Sequence, residues 1–99
     1  MGESLLTQPF VRRNGELHCG DIPAAELAER FGTPLYVYDI RRIAERVRAF
    51  HTAFAGVDHL LAYSVKANGN LSILRRLHAM GCGADITSLG ELYRARQAG

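Results

Sequence analysis

From Leu35 onward, short apolar runs alternate with stretches of helical periodicity, and this alternation restricts the fold more than any other feature of the 99-residue chain. Residues 35–38 read as a first strand, and Asp39 is placed to cap the helix that follows. Along that helix Ile40, Ile43, Ala44, Val47, Phe50 and Phe54 recur at three- and four-residue steps, which makes one apolar stripe. Residues 59–66 form a second apolar strand, and Asn70 is placed to cap a helix over 71–80 that Gly81 closes. Residues 83–86 make a very short third strand, and Ser88 opens a third helix. Strands and helices in this order mean successive βα units around a parallel sheet. Three such units close nothing, because a (β/α)8 barrel takes roughly 250 residues and a three-stranded parallel sheet leaves an open edge. The expectation is therefore a piece of a longer protein, or a chain completed by another.

The N-terminal third reads differently. Phe10–Arg13 and Glu16–Cys19 are strand-like runs joined by Asn14-Gly15, the pair preferred in two-residue hairpins. Residues 1–9 look like a loose leader. Asp21 is expected to cap a helix with Pro23 in its first turn and Ala24–Phe31 as its body, stopped by Gly32. Thr33-Pro34 then returns the backbone to an extended path. Residues 1–34 are accordingly separated from 35–99.

Composition excludes several classes. Hydrophobic residues at 47% and charged residues at 22% describe a globular chain, not a disordered one. Twelve basic against ten acidic residues leave a formal charge of +2, spread along the sequence, which gives nucleic-acid binding no concentrated basic face. Arg41, Arg42, Arg46 and Arg48 are read as a solvated helix face, with Arg41 and Glu45 at pairing distance, in preference to a phosphate site. No apolar run reaches membrane-spanning length, and no signal peptide is visible. Cys19 and Cys82 have no close-spaced partners, and the four histidines stand at no ligand-like spacing, so no metal is expected and the thiols point to a reducing cytoplasm.

The chemistry centres on Lys66. If 59–66 is one strand, alternation puts Lys66 on a face with Ser64, Ala62 and Leu60, and the two nearest, Ser64 and Ala62, are small and leave room in front of the amine. A partly desolvated lysine at such a rim is a nucleophile toward aldehydes; the plain alternative is a lysine that ends a strand in water. Asp85 stands near the end of the next strand, where parallel α/β arrays gather reactive groups. Glu91 belongs to Ser88-Leu89-Gly90-Glu91, a capping-box pattern in which it would reach back to the cap residue's N–H. Asn68-Gly69-Asn70 is a polar turn that either lines the site or simply turns the chain. There is no phosphate-cradling P-loop pattern.

Three ordered stretches resemble the diaminopimelate decarboxylase family of fold-type III pyridoxal-phosphate enzymes. They are Thr33-Pro34-Leu35-Tyr36-Val37-Tyr38-Asp39, Tyr63-Ser64-Val65-Lys66-Ala67-Asn68, and Gly83-Ala84-Asp85-Ile86-Thr87-Ser88-Leu89-Gly90-Glu91-Leu92. The resemblance covers residues 17–99. It implies that Lys66 is the lysine that carries the cofactor and that Asp85 and Glu91 are cofactor-binding positions. Ser64 departs from the alanine frequent in the family. Gly69-Asn70-Leu71 after Asn68 is closer to the decarboxylases than to the alanine racemases. The implied whole is a pyridoxal-phosphate-binding (β/α)8 barrel with a second, β-rich domain to which the hairpin belongs. The implied activity is the homodimeric decarboxylation of meso-diaminopimelate to L-lysine, with these residues inactive by themselves. A sister enzyme acting on ornithine, arginine or carboxynorspermidine and a non-catalytic barrel paralogue remain open alternatives.

Overall fold

The computed structural model describes residues 8–99, so most of the expected leader, residues 1–7, lies outside the described residues. The chain forms two compact units, one extending to Ile43 and the other running from Ala44 to Gly99.

The first unit is a three-stranded antiparallel sheet and one helix. Strands β1 (Phe10–Arg13) and β2 (Glu16–Cys19) pair from Phe10↔Cys19 to Arg13↔Glu16. Asn14 at φ +52° and Gly15 at φ +82° supply the two left-handed residues of a two-residue hairpin turn. A two-residue strand, β3 (Ile22–Pro23), adds to β2 through His18↔Pro23 and Cys19↔Ile22. This pairing displaces the expected helix start. Helix α1 (Ala24–Phe31) begins after Pro23, which keeps an extended ψ of 136°, and no side chain caps it. Asp21 sits too far upstream to cap and instead pairs with Arg13 at 3.1 Å on the surface. Residues 35–38, expected as a strand, enter no ladder among the described residues. An apolar run favours extension, but strand pairing needs a neighbour as well.

Helix α2 (Ile40–Ala53) starts as expected at Asp39, whose Oδ1 accepts the Arg41 N–H at 3.0 Å. The same carboxylate takes a forked ion pair from the Arg41 side chain, Nε to Oδ1 at 3.2 Å and Nη2 to Oδ2 at 2.9 Å. That hydrogen bonding holds the Asp39 carboxyl below its ordinary range, against the opposing effect of burial.

In the second unit, strands β4 (Ala62–Ser64) and β5 (Gly83–Asp85) are parallel and are joined by α3 (Leu71–Ala79); α4 (Leu89–Ala98) follows β5. Ala44, Val47, Val65, Ile73, Leu74, Leu77 and Cys82 form its core. Val65 is the most deeply buried of them, at 2% exposure. Asn70 caps α3 with Oδ1, accepting from the N–H groups of Ser72 and Ile73. At the other end, Gly81 at φ +82° gives its N–H to the His78 carbonyl, and Cys82 gives its own to Leu77. This is a Schellman ending, and its characteristic apolar contact falls on two core residues, Leu77 and Cys82. Burial also raises the Cys82 thiol above its ordinary pKa, so it stays protonated at neutral pH.

Two histidines that the spacing rules left apart meet in this unit. His51 Nδ1 lies 3.0 Å from His59 Nε2, while His51 Nε2 donates to the Met80 carbonyl and His59 Nδ1 to that of Val57. The rings tie the end of α2 to the turn after α3. Among the described residues no three metal-ligating side chains gather.

Candidate active site

The parallel register sets Ala62 beside Gly83, Tyr63 beside Ala84 and Ser64 beside Asp85, so both strands finish at one edge. A parallel α/β array collects reactive side chains at this carboxyl edge. The chain leaves β4 differently from the expected strand over 59–66. The ladder stops at Ser64, and Val65–Ala67 wind into a single 3-10 turn closed by the Asn68 N–H on the Val65 carbonyl at 3.1 Å. Two causes coincide: β5 is only three residues long, and Val65 turns into the core. Lys66 therefore owes its place to the turn and not to strand alternation. Its side chain is exposed at the strand edge.

The base beneath Lys66 is fixed on several sides. Tyr63 Oη donates to the Asn68 carbonyl at 3.0 Å, and Asn68 Oδ1 accepts the Asn70 N–H at 3.0 Å. Arg94, reaching from α4, donates through Nε to the Gly69 carbonyl at 2.7 Å. A Cβ on Gly69 would stand 3.0 Å from that Nε, so glycine is what lets the guanidinium close on the turn. The Asn68-Gly69-Asn70 turn is thus a scaffold, with its polar side chains spent on backbone.

The two expected carboxylates differ. Asp85 Oδ2 accepts a 2.9 Å hydrogen bond from Ser64 Oγ across the register. Glu91 is committed to the start of α4: its oxygens accept from the Thr87 N–H and the Thr87 hydroxyl, each at 2.9 Å, while Ser88 Oγ accepts the Glu91 N–H. Only the Ser88 half of the expected capping box forms; the glutamate reaches one residue further back, to Thr87, in place of the Ser88 N–H. Neither carboxylate pairs with Lys66, and the ion pairs of Arg13 with Asp21 and of Arg41 with Asp39 leave it aside.

A cleft of about 270 Å³ lies elsewhere, lined by Tyr63, Leu74, Leu77, Ala84, Ala95 and Ala98 among others. Tyr63 and Ala84 alternate with Ser64 and Asp85, so this apolar space is on the other sheet face and is packing room between sheet and helices.

The family described as pyridoxal-dependent decarboxylase, pyridoxal binding domain, matches residues 40–99. The chain belongs to this family. Diaminopimelate decarboxylase of Neisseria meningitidis serogroup B is 49% identical over 83 residues, 84% of this chain and 20% of the relative. The Aquifex aeolicus enzyme of the same name is 49% identical over 92 residues, 92% of this chain and 21% of its own length. A crystal structure of diaminopimelate decarboxylase from M. jannaschii in complex with L-lysine superposes with a TM-score of 0.85 at 40% identity, covering 90% of this chain and 22% of the other. The chain spans about a fifth of the length of the relatives it matches.

The residues present fit the family's cofactor. Pyridoxal carries an aldehyde, and an aldehyde needs a primary amine that is fixed at its base and unpaired at its tip. Lys66 meets both requirements, on a pinned turn and outside the ion pairs of the described residues. Sequence reasoning placed Lys66, Asp85 and Glu91 near one edge but missed the Ser64–Asp85 bond. The signal for it is the register, and a single sequence does not carry register across 21 residues.

Proposed function

We propose that the protein containing these residues is a pyridoxal-phosphate-dependent decarboxylase that converts meso-diaminopimelate to L-lysine and carbon dioxide. The observation that carries this reading is the exposed, unpaired Lys66 amine held at the carboxyl edge of β4 and β5, in a chain 49% identical to diaminopimelate decarboxylases. Its support on the substrate side is the L-lysine bound in the M. jannaschii neighbour.

In this reading Lys66 would hold the cofactor through its aldehyde. Bound pyridoxal phosphate supplies the electron sink for the pair left when carbon dioxide departs. Asp85 offers a carboxylate at the same strand edge, with one oxygen anchored by Ser64. Glu91 borders the same edge and contributes by fixing the start of α4. The Tyr63–Asn68 and Arg94–Gly69 bonds hold the turn so that the amine stays in place while its partners exchange. The remaining cofactor and substrate contacts come from the rest of the protein. Residues 35–99 would then be the opening of a (β/α)8 barrel and residues 1–34 would side with a second, β-rich domain, in a cytoplasmic homodimer. Among the described residues no helix is long and apolar enough to cross a membrane.

The test is borohydride reduction of the full-length protein with pyridoxal phosphate, followed by peptide mapping, and then a panel of amino acids. A pyridoxyl group on Lys66 and turnover of meso-diaminopimelate are expected. An unmodified Lys66 would overturn the proposal. Turnover of ornithine, arginine or carboxynorspermidine without meso-diaminopimelate would move the protein to a sister activity.

A further inference from the structure

The register sets Ser64, two residues before Lys66, directly beside Asp85. Residues paired this way in a parallel ladder point to the same face, and the Ser64 hydroxyl spans the gap with a 2.9 Å bond to Asp85 Oδ2. Asp85 ends the strand that neighbours β4, and Lys66 leaves β4 two residues after Ser64. Lys66 nevertheless stays outside the ion pairs of the described residues. A carboxylate paired with an ammonium favours the charged, non-nucleophilic form, so where Asp85 points decides how readily the amine reacts.

We propose that Ser64 is a positioning residue that holds Asp85 off Lys66 and so keeps the amine free to take up an aldehyde. The inference rests on the reading of Lys66 as the cofactor lysine. The step it governs is attachment. The Nζ lone pair adds to the aldehyde carbon, a carbon–nitrogen double bond forms, and the carbonyl oxygen leaves as water with the two protons the nitrogen gives up. Ser64 takes no part in that bond-making. It acts by engaging Asp85 Oδ2 at the end of β5.

The experiment is the rate at which cofactor-free, full-length protein takes up pyridoxal phosphate, followed by absorbance and mapped by borohydride trapping. It is run on the unaltered protein and on Ser64→Ala, Asp85→Asn and the double variant. Ser64→Ala should slow uptake about two- to fivefold, the size of a surface ion pair newly available to Lys66. In the Asp85→Asn background the same substitution should leave the rate unchanged, because no carboxylate remains to be released. Equal slowing in both backgrounds would mean that Ser64 merely supports the strand edge, and would overturn the proposal. Ser64→Ala that takes up the cofactor at the unaltered rate while Asp85 is intact would overturn it as well. An unaltered protein that shows no adduct on Lys66 would instead overturn the proposed function, so the two failures are told apart.

Discussion

The two units are stabilised by opposite means. The unit ending at Ile43 has three paired strands, a hairpin turn and a helix, yet none of its described residues is buried; Phe10, Leu17 and Ile22 on its strands are all more than 40% exposed. The unit from Ala44 to Gly99 has a two-stranded sheet of only three register pairs, yet it contains every core residue described. Backbone geometry and polar contacts shape the first. Burial of apolar side chains shapes the second, and its strands are short because the core, not the ladder, holds them. It teaches that sheet content is a poor guide to where stability resides. It also places Lys66, the proposed cofactor lysine, in the unit with a core, where a turn is anchored through the buried Val65.

The comparison breaks most easily at Leu77, which is 5% exposed and doubles as the apolar contact of the α3 ending. Leu77→Ala should cost about 2–5 kcal/mol in denaturant unfolding, the range for emptying a buried leucine site. Leu17→Ala, at a 41% exposed position, should cost about 1 kcal/mol or less. Equal costs would mean that the hairpin contributes a core of its own. A cost at Leu17 that grows in the full-length protein would measure how much of the hairpin the rest of the protein covers.

Gly15 probes the first unit on its own terms. Its φ of +82° is left-handed, and alanine there should cost about 1–2 kcal/mol from backbone strain alone. Faster amide exchange should be confined to Phe10–Arg13 and Glu16–Cys19, with α3 unaffected. Next comes the cap of α3. Asn70→Ala removes the acceptor for two N–H groups and should cost about 1 kcal/mol, with Asn70→Asp restoring most of it. Spread of either effect into the other unit would show that the two share more than helix α2.

What the sequence made legible follows the same division. The hairpin turn at Asn14-Gly15, the caps at Asp39, Asn70 and Ser88 and the stop at Gly81 were all readable, because each depends on residues within five positions. Lys66 stands in a stretch readable as a family motif, but its setting was not readable. Strand alternation carried Lys66 into β4, whereas the ladder ends where its partner β5 ends and Val65 turns inward. Residues 35–38 failed as a strand for the same reason, since pairing depends on a neighbour the segment does not choose. The Ser64–Asp85 bond and the His51–His59 pair depend on register and packing, and neither is written in local spacing.

The smallest effect lies at Asp39, where the first unit is held by charge. The Arg41 hydrogen bonds lower the Asp39 pKa in the folded state below the ordinary 3.8. A carboxylate depressed in this way stabilises the fold fully above its unfolded value, and that stabilisation is lost as pH falls below 3.8 through the lower folded value. Asp39→Asn keeps an oxygen to cap α2 but removes the charge that Arg41 grips. The thermal midpoint of the unaltered protein should exceed that of Asp39→Asn at neutral pH, and the gap should narrow as pH falls below 3.8 and the carboxylate is protonated. The Asp39 carboxylate is 6% exposed, so salt should narrow the gap less than it would for the surface pair of Arg13 and Asp21. A gap independent of pH would make Asp39 only a cap, and the first unit would then rest on its turn and ladder without help from charge.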